Sequence, residues 1–181
     1  MLIAKEKKQT NIAEYILYMW QIEDIIRAFN FDENNIEKSL ISQFKQSENV
    51  LDEIRKWYNN LIYMMIEENI KEKGHLQFIN NIISDIYHFH IQLINKESEK
   101  KYHELYQKAL PNINEFKKLS KYNDNNDIEI CLNGLYAILL LKLNKKEISQ
   151  ATSDAIKSFS NLLAYLSKKY KEYEEGGFEL S

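Results

Sequence analysis

His88, Phe89 and His90 put two imidazoles in one short stretch, and the first chemistry they suggest is metal binding or proton transfer. On a helix, residues two apart are turned by about 200°, so the two rings cannot face one ion. His90 falls among Ile83, Ile86 and Leu93, whereas His88 shares a polar side with Asn81 and Ser84. Asp85 and His88 have the i,i+3 spacing that supplies two ligands in di-iron carboxylate bundles, which also need a second such motif and further glutamates. Glu72 and His75 repeat the spacing, but Gly74 is expected to break the helix between them. No metal and no cofactor is therefore expected.

Two carboxylates project toward apolar stripes. Glu23 lies angularly between Ile12 and Ile16, and Glu68 continues the stripe through Val50, Trp57, Leu61 and Met64. A buried acid must find a donor or take up a proton, which makes Glu23, Glu68 and His90 the candidate polar groups of a pocket. The competing reading is structural: an acid at a helix end, or an ion pair such as Glu23 with Arg27 at i,i+4. Cys131, the one cysteine, sits in an apolar run and reads as a small buried hydrophobe, with no intrachain disulfide possible. There is no Gly-x-Ser-x-Gly, no phosphate-binding glycine loop and no dinucleotide fingerprint. No catalytic residue is assigned.

A different kind of site is suggested by Leu17 and Trp20, which leave the main apolar stripe of their helix for a flank shared with Asp24 and Arg27. Trp and Arg concentrate at the cores of protein interfaces, so these four residues are the candidate interface. If the fold leaves that flank open, two-fold pairing into a homodimer is the commonest solution. The alternative is that other helices of the same chain cover it.

The elements that must carry these residues are all helical. The 181 residues include four Gly and one Pro, where average usage would give about 13 and 9. That scarcity disfavours hairpins, and no period-2 segment is long enough for a strand. Seven helical patterns follow one another. The first is capped by Asn11 with Glu14 three residues on and runs to about Phe29; the second is capped by Asp32. The third is expected to end at Gly74, the fourth spans about Leu76 to Asn95, and the fifth should kink or break at Pro111. Asp124 or Asp127 should cap the sixth, and the last begins near Ser149. Between Ile128 and Leu143 only Glu129, Asn133 and Lys142 are charged or amide side chains. A helix apolar on all sides belongs at the centre of a fold, and this one is shorter than the roughly 20 residues that cross a bilayer. On that reading Leu139→Ala should cost roughly 2–5 kcal/mol.

The net charge is −3, with 24 basic and 27 acidic residues interspersed. No basic stripe accompanies the 12 tyrosines, so nucleic-acid binding is not expected. The N-terminal MLIAKEKKQTN lacks the apolar run of a signal peptide, and a cytoplasmic setting is expected.

The segments Asn11–Ala28 (NIAEYILYMWQIEDIIRA) and Glu129–Tyr170, with EICLNGLYAILLLKL and LLAYLSKKY, resemble an uncharacterised family of small all-helical proteins from Bacteroidetes bacteria. The resemblance implies a helical fold in a bacterial cytosol. It implies no activity, substrate or catalytic residue. The sequence thus predicts an all-α single-domain bundle, residues 1–173, of six or seven helices around a central helix at about 128–143, with a frayed tail at 174–181. A non-enzymatic protein is expected, working through a protein partner or as a homodimer, with no membrane or nucleic-acid role. The alternative is a small-molecule-binding or hydrolytic bundle whose inter-helix site uses Glu23, Glu68 and His90.

Overall fold

The computed structural model describes residues 2–119 and 126–178. Among these, eight α-helices and one 3₁₀ turn account for the fold: α1 Leu2–Thr10, α2 Ile12–Ala28, α3 Glu33–Ser39, the 3₁₀ turn Ile41–Gln43, α4 Glu48–Glu67, α5 Gln77–Asn95, α6 Lys100–Leu119, α7 Asp127–Leu143 and α8 Gln150–Glu174. The all-α bundle expected from the sequence is what forms. No strand occurs among the described residues.

The extra helix is α1, which lies ahead of the first helical pattern legible in the sequence. Among its described side chains only Ala4 is buried, so it shows little apolar period of its own. Asn11 separates the two helices with an extended backbone, and its Oδ1 accepts the Glu14 amide at 3.1 Å. Asp32 and Ser149 cap α3 and α8 in the same way, at 3.1 Å from the Asn35 and Thr152 amides respectively.

Other boundaries differ from expectation. The sixth pattern is capped by Asn126, which accepts the Glu129 amide at 2.9 Å, while Asp127 occupies the first turn. Asp124 lies outside the described residues. The third pattern stops at Glu67, well before Gly74, with Asn69 in the left-handed region at φ 57°. Gly74, at φ 95°, instead turns the chain into α5. Pro111 does not break α6. It lies on the exposed side with Gln107, four residues earlier, so the carbonyl deprived of its amide partner is left toward solvent.

The core is one cluster to which every α-helix contributes. α8 packs against α1, α2, α5, α6 and α7, and α7 packs against α2, α5, α6 and α8. Gly134 permits the close approach of α7 and α8: a Cβ there would lie 2.8 Å from the ring of Phe159. The apolar helix is central only over its first half. Ile128, Ile130, Cys131 and Leu132 are fully buried, whereas Leu139 is half-buried, Leu140 is 37% exposed and Leu143 is 66% exposed. The expected large cost of Leu139→Ala therefore belongs to residues one or two turns earlier.

Candidate functional site

Helix α5 begins without a cap of its own, because Leu76 offers no acceptor to the first amides. Two distant carboxylates supply it. Glu23 of α2 is fully buried and accepts the Leu76 amide at 2.9 Å through Oε1. Glu68, at the end of α4, accepts the Gln77 amide at 2.7 Å. Each anion meets unpaired N–H groups at the positive end of the helix dipole, a favourable placement. The second oxygen of Glu23 lies 2.6 Å from Nδ1 of His75. That ring stacks on Trp20, with centroids 4.4 Å apart and planes 18° from parallel. Glu129 of α7 interacts with the same imidazole; burial pushes its carboxyl above the ordinary range, and His75 offsets part of the rise.

A carboxylate at Nδ1 fixes the tautomer of a histidine and leaves Nε2 as the basic nitrogen. The His75 side chain is 30% exposed, so the pair has the elements of a proton-transfer dyad. The groove where α2, α7 and α8 meet is not lined by Glu23, His75 or Glu129. No group of three His, Cys, Asp or Glu side chains among the described residues could hold a metal ion. Both Glu23 and Glu68 are spent on the α5 backbone.

His90, the third candidate, does not join them. At 1.5 Å per residue it stands roughly 20 Å further along α5 than Gln77. Its Nδ1 lies 2.6 Å from the hydroxyl of Tyr102, and it is ringed by Tyr87 and Tyr106. Burial lowers its pKa to about 4, against a smaller opposing pull from Asp127. Asp127 itself accepts hydrogen bonds from Tyr106 and Lys117, both at 2.6 Å. Burial works against its ionisation, but those two donors hold its carboxyl below the usual range. Asp85 and His88 both face solvent on α5. The His90 cluster is a satisfied internal network that joins α5, α6 and α7.

The candidate interface divides. Trp20 is 1% exposed, covered by His75 on one face and edge-on by Tyr136 at 5.4 Å, so it has no surface to lose to a partner. Asp24 accepts from the Tyr136 hydroxyl and pairs with Arg27 at 2.9 Å. Arg27 in turn donates to the carbonyls of Ile70 and Gly74 and fastens the loop before α5 onto α2. These three residues hold the chain to itself, so at Trp20 the second of the two readings applies and the chain covers its own flank. Of the four, Asp24 keeps a side chain 45% exposed, and Leu17 reaches a concave surface between helices.

That surface is a groove of about 810 Å³ where α2, α7 and α8 meet. Leu17 and Ala13 enter it from α2, Leu135 and Leu139 from α7, Ile156 and Leu163 from α8. Lys7 and Asn11 line it as well. Each helix contributes positions three and four apart, one face apiece, so the groove follows directly from the packing of three amphipathic surfaces. The sequence reading missed it because it assigned the whole of α7 to the core.

The fold and its groove define a helical bundle with an apolar surface cleft. The chain belongs to the family described as a domain of unknown function, DUF4924, which it matches over residues 1–177. No curated protein and no solved structure matches it. No helix of the described residues is long and apolar enough to cross a membrane.

Proposed function

We propose that this is a non-enzymatic interaction protein of the bacterial cytoplasm that takes a helix of a protein partner into the α2–α7–α8 groove. One observation carries the reading: the apolar face of α7 continues past the core, so that Leu139 floors an open cleft while Leu140 and Leu143 stand exposed beside it. Exposed apolar surface costs solubility and invites association, and an apolar groove between helices is the geometry that receives an amphipathic helix. The competing small-molecule-binding or hydrolytic reading rests on Glu23, Glu68 and His90, which the groove does not include.

Methyl NMR tests the proposal with a synthetic amphipathic helix bearing one leucine face. The methyl signals of Leu17, Leu135, Leu139, Ile156 and Leu163 should shift on titration, while those of Ile79 and Leu93 in the core stay fixed. Leu17→Asp should abolish the response and leave the circular dichroism spectrum unchanged. A peptide that moves none of the groove methyls would overturn the reading. Sedimentation of the wild type adds the other occupant: a dimer that shields the same methyls makes the groove a contact between copies.

A further inference from the structure

We infer that the helix received by the groove is acidic along the flanks of its apolar face, an inference that rests on the docking function just proposed. The charge around the cleft runs against the charge of the protein. The chain as a whole is net −3, yet the groove is lined by three lysines and a single glutamate. That glutamate, Glu14, is already held by Lys7 at 2.7 Å. The other two lysines stand on separate walls, Lys142 near the end of α7 and Lys157 on α8, and both are exposed. Neither makes an ion pair among the described residues. The nearest acid along α8, Asp154, is turned to the Gln150 side-chain amide at 3.0 Å.

An apolar floor between two unspent ammonium groups selects its occupant in two ways. Burial of leucine-type side chains supplies attraction without direction. The lysines add a sign: a helix with Glu or Asp beside its apolar stripe gains two contacts, and one with Lys or Arg there meets like charge. Length is bounded as well. The α8 positions that line the groove run from Ser153 to Ala164, roughly 16 Å at 1.5 Å per residue, which fits an occupant of about three helical turns. A second copy of this chain would have to present such an acidic face to fit.

Two stapled peptides of about three turns test the inference, identical on their leucine face and flanked by glutamate in one and lysine in the other. By fluorescence anisotropy at low salt, the acidic peptide should bind at least about tenfold more tightly, and the difference should shrink as ionic strength rises. The double variant Lys142→Glu, Lys157→Glu should reverse the order while its melting temperature stays that of the wild type. Equal binding of the two peptides, or preference for the basic one, would sink the acidic partner and leave the docking groove standing. If neither peptide shifts the groove methyls, the docking function falls and the inference with it. A wild type that dimerises and thereby excludes both peptides would replace the foreign acidic helix with a second copy.

Discussion

The two halves of α7 are nearly alike in composition and opposite in environment. From Ile128 to Leu132 every residue except Glu129 is fully buried against α2, α5, α6 and α8. From Leu139 to Leu143 the side chains are half-buried or exposed, and the floor they form is shared with α2 and α8 across an open cleft. A helix apolar all round is a statement about what must be kept from water, not about which molecule does the covering. In the first half the chain covers itself. In the second half the chain leaves the apolar side chains at an open cleft.

The largest test of that contrast is stability. Leu132→Ala removes a fully buried side chain and should cost about 2–5 kcal/mol, whereas Leu139→Ala should cost about 1 kcal/mol because its cavity opens onto solvent. Denaturant titration of the two variants reads the difference, and equal losses would erase the distinction between the halves.

The first half also starts in a polar network that the second lacks, and acid should find it. His90 carries a pKa of about 4 in the fold, lowered by burial from the ordinary 6.5, so the unfolded chain binds a proton that the folded chain refuses between those values. Stability from this group is complete above pH 6.5 and is lost as pH falls toward 4, by up to roughly 3 kcal/mol. His90→Gln, which can still hydrogen-bond Tyr102, should flatten the fall in melting temperature across that window. An unchanged slope would show that another group governs it.

The smallest effect is kinetic and leaves the fold intact. Burial pushes the Cys131 thiol well above its usual pKa and hides it, so it should react with a thiol reagent only on unfolding. Moved to the other half as Leu143→Cys in a Cys131→Ala background, the thiol should react at the rate of a free cysteine. Slow labelling at position 143 would mean that something covers the end of α7 in solution.

Local signals in the sequence carried most of the fold. The caps at Asn11, Asp32 and Ser149 each act within three residues, so their side chains declare the helix start without help from the rest of the chain. Where the reading failed, the deciding partner was remote or the local rule was overridden. Gly74 is a helix stop by type, yet Asn69 took the left-handed position first. Pro111 survives in α6 because its side of the helix is exposed. The candidate site was less legible. Glu23 was recognised as a buried acid, but its partner His75 is 52 residues away and belongs to no periodic pattern.

What the sequence determined by itself is therefore the class of fold, the helix starts and the pool of apolar residues that must avoid water, because capping and helical period operate within a few residues. Only the tertiary structure decided that Glu23 would cap α5 and hold His75, that Trp20 would be roofed by its own chain, and that α7 would be core at one end and cleft at the other. Those outcomes depend on which faces of separate helices meet. Burial is set by that meeting, since the hydrophobic effect fixes how much surface is removed from water and not which neighbour removes it.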